Sequence, residues 1–308
     1  MNIEKFYDYF DVVANVLYEQ KKLNYIEGMN HSFNYLLDQT LDVEIPEEEM
    51  EKIANARELI DPVKFQPEEI RKAVQLGILK GLKHAYMSNA TMTPDTIGLF
   101  LSYLIDKLYD GKKISTILDP MIGTGNLVYT IMNQLKIEAL VTGVDTDITL
   151  CRLARNFGDL LNIENQIYYQ DGLSYFGDEV DLIVSDLEIA EKKSPYVPYQ
   201  MINHHITSLK NDGFMLILIE NDFFEQAQAS IFREEVMKQA NIFGIIKLSE
   251  TMFSKNPKSI LILEKNVNQL EKKQSDFLIV DCPSFTDKEA FSQTIDKIDQ
   301  WFLARKGN

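Results

Sequence analysis

Three acidic residues stand at the ends of three successive apolar stretches. Asp119 closes Ser115–Asp119, Asp145 closes Ala139–Asp145, and Asp171 directly follows Ile167–Gln170. After Asp119 the chain runs Pro120-Met121-Ile122-Gly123-Thr124-Gly125-Asn126 and then becomes apolar at helical spacing. Glycines in such a turn let the backbone take a positive φ and approach a ligand closely. The first amides of the helix that follows add hydrogen-bond donors. Asp145 lies twenty residues after Gly125, the spacing of a carboxylate that accepts ribose hydroxyls, and Thr146 follows it. Asp171-Gly172 repeats the pattern at the third stretch. One such acid is most often a helix cap or a turn former. Three in sequence order point to a shared nucleoside pocket. A dinucleotide loop has a third glycine and no acid at its mouth, because a pyrophosphate is anionic. Here position 128 is Val and Asp119 opens the loop, so the loop suits a ligand with a cationic amino group.

Residues placed in this way need parallel strands joined by helices. From about Lys113 the chain alternates short apolar strands and amphipathic helices, which predicts a doubly wound α/β sheet. Further strands are expected at Asp181–Asp186, Phe214–Glu220, Phe243–Leu248 and Ser259–Glu264, giving a seven-stranded, mostly parallel sheet. The last two are too close for a helical crossover and are expected to pair antiparallel at one sheet edge. Phe277–Asp281 is a candidate for one more edge strand, and a helix from about Asp287 to Arg305 closes the chain. Residues 1–90 read as a separate helical domain and 91–308 as the α/β domain. Phe6, Phe10, Val13 and Leu17 form one apolar stripe, and Met29, Phe33, Leu36 and Leu37 suggest a second helix. Pro46 and Pro67, each followed by glutamates, open a third and a fourth.

Composition narrows the function classes. At 45% hydrophobic and 25% charged the chain can bury a core without staples. Cys151 and Cys282 have no metal or redox spacing and read as small core hydrophobes, and no metal is expected. His204 and His205 read as surface or cap residues rather than ligands. The net charge is −16, and the first 90 residues hold 10 Lys and Arg against 16 Asp and Glu. A protein gripping a nucleic-acid backbone by itself usually presents a basic stripe, so the isolated chain is expected to bind duplex weakly. No apolar run approaches a membrane span, and the N-terminus does not resemble a signal peptide. A cytoplasmic location is expected, with no membrane partner.

The run Asp119-Pro120-x-x-Gly123-x-Gly125-Asn126 resembles motif I of the N6-adenine methyltransferases, a class I, Rossmann-like family. Thr93-Pro94, upstream of that loop, is similar to the element these enzymes place beside the methionine carboxylate, which matches their gamma-type motif order. A threonine helix cap followed by proline explains it equally. The resemblance implies S-adenosylmethionine as cofactor. Thr93, Pro94, Asp119, Pro120, Gly123, Gly125, Asn126, Asp145, Thr146, Asp171 and Gly172 would bind it. The family's fourth strand ends in a catalytic Asn, Asp or Ser followed by Pro-Pro and an aromatic. Counted from Asp181, that catalytic position is Asp186, and the next residues are Leu187, Glu188 and Ile189. The carboxylate is kept, the two prolines and the ring are not. Asp186 and the Leu187 carbonyl would hold the acceptor amine. Tyr196 or Tyr199 is a candidate for the missing ring, and Phe253, in Thr251-Met252-Phe253, is a candidate base contact.

Forty-four residues follow Glu264, too few for a target-recognition domain. The resemblance therefore spans roughly residues 90–264. The helical N-terminal region is similar to the one that precedes the catalytic domain in restriction-modification subunits, and is expected to offer a surface for a protein partner. Methyl transfer to an amino nitrogen, adenine N6 in nucleic acid foremost, is the expected activity. The alternative is a cofactor-binding pseudoenzyme or interaction protein with a degenerate Asp186-Leu187-Glu188-Ile189 motif.

Overall fold

The computed structural model describes residues 2–60, 64–84, 92–187, 195–253, 256–265 and 277–306. Among these residues eight strands, β1 (Thr116–Asp119), β2 (Leu140–Asp145), β3 (Asn165–Tyr169), β4 (Val180–Asp186), β5 (Leu209–Glu220), β6 (Ala240–Leu248), β7 (Lys258–Lys265) and β8 (Leu278–Cys282), form a sheet ordered β3-β2-β1-β4-β5-β7-β6-β8, and its helices include α5 (Asp95–Tyr109), α8 (Val197–His205) and α9 (Ala229–Met237). By its internal contacts the chain divides into two compact units, residues 1–99 with 122–170, and residues 100–121 with 171–308.

The first unit holds helices α1 (Asn2–Lys21), α2 (Tyr25–Leu37), α3 (Glu47–Glu58) and α4 (Pro67–His84). The predicted stripe of α1 is buried: Phe6, Phe10, Val13 and Leu17 lie in the core, and Phe10 meets Phe33 of α2 edge to face at 5.0 Å. Asn24 and Glu27 form a capping box that fixes the start of α2. Leu37 departs from expectation. It is the last residue of α2 and is 40% exposed, so the core stripe of that helix ends with Phe33. The unit also contains α6 (Asn126–Leu135), α7 (Ile148–Leu160) and the parallel strands β2 (Leu140–Asp145) and β3 (Asn165–Tyr169). Helix α2 is tied to α7 by polar bonds: Asn30 Nδ2 donates to the Thr149 carbonyl, and Asn156 Nδ2 to Asn34 Oδ1. The N-terminal helices are thus integral to this unit.

The second unit is built on β1 (Thr116–Asp119), β4 (Val180–Asp186) and β5 (Leu209–Glu220), all parallel. Asp181 staples the first two. Its carboxylate accepts from the Ser115 and Thr116 amides at 2.9 and 3.0 Å and from Lys210 at 2.9 Å. Burial pushes that carboxyl up, but Lys210 and these donors outweigh it and hold it below the usual carboxylate range. Residues 213–219 of β5 are buried throughout, which is why that stretch is apolar without alternation.

The remaining strands correct one expectation. β6 (Ala240–Leu248) and β7 (Lys258–Lys265) are antiparallel neighbours, but they do not end the sheet. β7 inserts between β5 and β6, and β8 (Leu278–Cys282) pairs parallel with β6 to form the edge. Among the described residues the sheet therefore has eight strands, the candidate edge strand being real. Helix α10 (Lys288–Lys306) buries Ile298 and Phe302 and lays Trp301 against Phe243 at 5.3 Å. Among the described residues no helix is long and apolar enough to cross a membrane, and no three His, Cys, Asp or Glu side chains cluster as metal ligands. Both cysteines are free and buried.

Candidate active site

In the first unit the loop before α6 has the conformation its glycines permit. Gly125 sits at φ +78°, and a Cβ there would lie 2.5 Å from the Tyr129 ring. Only glycine fits. Gly123, at φ +52°, donates its amide to Asp145 Oδ2 at 2.9 Å, and the Asp147 amide donates to Asp145 Oδ1 at 2.8 Å. Asp145 is thereby oriented at the end of β2. Burial pushes its carboxyl above the usual range against the pull of those amides. A carboxylate has about four acceptor positions, so two amides leave capacity for ribose hydroxyls. Thr146 is exposed, and Asp147 caps α7 through the Thr149 and Leu150 amides. Thr93 is buried, and its carbonyl accepts from Asn126 Nδ2 at 2.8 Å, while Pro94 is exposed. Asn126 is 1% exposed, yet its Oδ1 meets no hydrogen-bond donor among the described residues.

Behind this loop stands a residue that sequence reading missed. Arg71 of α4 is 1% exposed. Its guanidinium forks onto both Asp95 oxygens at 2.9 and 2.8 Å, onto both Glu68 oxygens at 2.8 and 2.9 Å, and onto Thr130 Oγ1 at 3.0 Å. The available signal was its position, three residues before Val74 and seven before Ile78 on the buried stripe of α4.

In the second unit Asp119 ends β1 and is 1% exposed. Its Oδ1 accepts from the Met121 amide at 3.1 Å and from Ser185 Oγ at 2.8 Å. Pro120 and Gly172 are brought together, since a Cβ at Gly172 would lie 2.6 Å from the Pro120 carbonyl oxygen. Asp171 is exposed and caps the short turn 172–174 through the Leu173 amide at 2.9 Å. His205, read from sequence as a surface or cap residue, is fully buried, with Nε2 3.0 Å from the Gly172 carbonyl. A cationic ring there would lack solvation, and burial together with His204 pushes its pKa down to about 4.

Asp186 lies at the carboxyl end of β4, where strand-end chemistry in this class of sheet is found. Its Oδ1 is 2.7 Å from Lys258 Nζ, and the two side chains are only 13% and 6% exposed. Lys258 opens β7, seventy-two residues away, and sequence reading gave it no role. Leu187 is buried and donates its amide to the Leu218 carbonyl. Tyr196 is buried against Tyr199 and Phe223, with ring centroids 4.8 and 5.9 Å away. Tyr199 stacks on Phe232 and donates its hydroxyl to the Phe223 carbonyl. Phe253 is half-buried. Thr91, Glu188 and Ile189 lie outside the described residues.

Comparison with known proteins decides the family. Residues 88–308 match the model of the N-6 DNA methylases. The chain belongs to the N-6 DNA methylase family. Ahead of the methylase region, residues 4–82 match the YtxK N-terminal helical domain. The YtxK protein of Bacillus subtilis (strain 168) is 30% identical over 322 residues, with 97% of each chain covered. A Listeria monocytogenes protein provisionally described as a class I S-adenosylmethionine-dependent methyltransferase superposes with a TM-score of 0.83 at 29% identity, covering 98% of this chain and 99% of the other. The methyltransferase subunit of a type I restriction-modification system from Streptococcus thermophilus superposes with a TM-score of 0.60 at 14% identity, over 91% of this chain and 70% of that one. That likeness shows a shared fold. In the methylase's first unit Asp145 and the Asn126 oxygen, which meets no donor among the described residues, are acceptors whose chemistry fits the hydroxyl and ammonium donors of such a cofactor. In the second unit Asp119 and Asp171 are likewise acceptors.

Proposed function

We propose that adenine N6 in nucleic acid is the group modified by this S-adenosylmethionine-dependent methyltransferase. The reading is carried by Asp186, placed at the carboxyl end of β4 and held by Lys258. An exocyclic amine is a poor nucleophile while its lone pair is conjugated with the ring. Two acceptors placed on its hydrogens turn the lone pair toward an electrophile. The Asp186 carboxylate supplies one, and the following Leu187 carbonyl is assigned as the second. When bound, S-adenosylmethionine would supply an electrophilic methyl group, its sulfonium becoming a neutral thioether as the S–CH3 bond breaks, and the methylated nitrogen would release one proton to solvent.

The other roles follow from each residue's chemistry. Asp145, oriented by the Gly123 and Asp147 amides, takes the ribose hydroxyls. Asp119, Asn126 and the Thr93-Pro94 helix start serve the methionine end, with Gly123 and Gly125 allowing close backbone approach. Asp171 and Gly172 serve the adenine end, and Pro120 and Thr146 shape the loops that carry Asp119 and Asp145. Phe253 is assigned as the ring that contacts an extruded base, because it is half-buried while Tyr196 is enclosed by Tyr199 and Phe223. With a net charge of −16 the isolated chain is proposed to hold duplex weakly and to act with a protein partner docked on the N-terminal helices, in the cytoplasm.

Transfer of tritiated methyl groups to duplex DNA, single-stranded DNA and RNA tests this reading. Asp186→Ala should lower turnover by orders of magnitude, because positioning and electrostatics carry such reactions. Its cofactor affinity should change far less. Transfer by Asp186→Ala at the wild-type rate would remove the role given to that carboxylate.

A further inference from the structure

A buried polar relay runs from the N-terminal helices to the start of α6. Arg71, on α4, grips Asp95 with two parallel hydrogen bonds of 2.9 and 2.8 Å. Asp95 Oδ1 then accepts from Asn126 Nδ2 at 3.3 Å, and Gln75 Nε2 donates to the same oxygen at 2.6 Å. Asn126 Nδ2 also donates to the Thr93 carbonyl. The amide nitrogen of Asn126 therefore faces two acceptors, a carboxylate and a carbonyl. Turning the amide over would set its oxygen against both, so only one orientation is allowed. In that orientation Oδ1 is buried and meets no donor among the described residues. A buried acceptor in this state is costly unless a ligand completes it.

We infer that Arg71 is a positioning residue for the cofactor, fixing Asp95 so that the Asn126 amide presents its oxygen as an acceptor for the ammonium group of the methionine end. The inference rests on the cofactor reading above. Its consequence is that the N-terminal helical domain is part of the cofactor machinery, with Arg71 as the link. The fork is what makes arginine necessary. A planar guanidinium holds both Asp95 oxygens and both Glu68 oxygens at once, whereas a lysine ammonium is a point charge that cannot grip two carboxylates in parallel. The carboxyls respond to this grip: the Arg71 hydrogen bonds hold Glu68 below its ordinary range, and at Asp95 burial pushes the carboxyl up while Arg71, Asn126 and Gln75 together bring it below that range.

The test is calorimetric titration of full-length wild type, Arg71→Lys, Asn126→Ala and the double variant with S-adenosylmethionine, each checked by thermal melting. Arg71→Lys should weaken binding about tenfold, and Asn126→Ala by a similar factor. In the Asn126→Ala background, Arg71→Lys should cost less than threefold, since its effect passes through the amide already removed. A merely structural arginine would weaken both backgrounds equally, and that result would overturn the inference. So would a full-affinity Arg71→Lys. Asp95→Asn, nearly isosteric, interrogates the same relay if Arg71→Lys does not fold. It removes the charge that Arg71 grips while the Thr93 carbonyl still faces the Asn126 amide nitrogen, and unaltered affinity in that variant contradicts the relay. Wild type that binds no cofactor would instead remove the cofactor reading itself, a different outcome from binding with additive losses.

Discussion

Replacing Lys258 with Met should destabilise the protein severely, and the size of the loss follows from the site. Lys258 Nζ and Asp186 Oδ1 are 2.7 Å apart, with side chains 6% and 13% exposed. At an effective dielectric of about 20, charges at that separation attract by about 6 kcal/mol. Desolvating both ions offsets most of this, so the intact pair adds little net stability. Truncating one partner is another matter. The attraction is lost while the Asp186 carboxylate stays buried, and such changes cost about 3–5 kcal/mol. Glu220, 5% exposed and in register with Lys258 across β5 and β7, adds a second acid to the same strand ends. Asp186→Asn also takes a counterion from Lys258, but should be milder, because the amide oxygen can still accept from the ammonium and the acid Glu220 remains in register with it. The double variant Lys258→Met with Asp186→Asn should recover part of the loss, giving a coupling energy of about 2 kcal/mol. Urea unfolding at neutral pH measures this from the midpoints, provided the slopes are unchanged. A coupling below about 0.5 kcal/mol would show that the two charges do not depend on each other, and the account of how Asp186 is held would fall.

Asp145→Ala should weaken S-adenosylmethionine binding by about 1.5–3 kcal/mol, the worth of hydrogen bonds to a charged group; calorimetry showing wild-type affinity would take the ribose contact away from Asp145. Gly172→Ala forces a Cβ to 2.6 Å from the Pro120 carbonyl oxygen and should cost about 1–3 kcal/mol in thermal or urea melts; no loss would mean that this contact is loose. His205 gives a pH signature. Its folded pKa, about 4, lies below the ordinary 6.5, so between these values the unfolded chain binds a proton that the folded one refuses. Stability should therefore rise with pH through that window, by up to about 3 kcal/mol. His205→Gln should flatten that part of the curve, and an unchanged slope would assign it to other groups.

The legible parts of this molecule are those whose chemistry and position coincide in the sequence. Gly125 was readable because its turn demands a left-handed residue, and the position of Asp145 at the end of β2 because the apolar run before it stops there. The stripe of α1 was readable because helical periodicity and burial agree at Phe6, Phe10, Val13 and Leu17. Relations between distant residues were not. Nothing local marks Lys258 as the partner of Asp186, since the pair exists only once β7 has inserted beside β5. The same insertion hid the true sheet edge, because strand spacing reports antiparallel pairing but not which neighbour lies on the far side. Arg71 was recoverable in principle as an arginine on an apolar stripe, but its acceptors Asp95 and Thr130 come from two other helices. His205 was misread because adjacent histidines look polar, while the fold buries the second against the Gly172 carbonyl.

The most direct test of the central claim is nucleoside mass spectrometry after incubation of the protein and DNA with S-adenosylmethionine carrying a deuterated methyl group. Deuterated N6-methyladenine is expected in the wild-type digest and should be lost with Asp186→Ala. Label found on cytosine or on protein, with adenine unmodified, would contradict it.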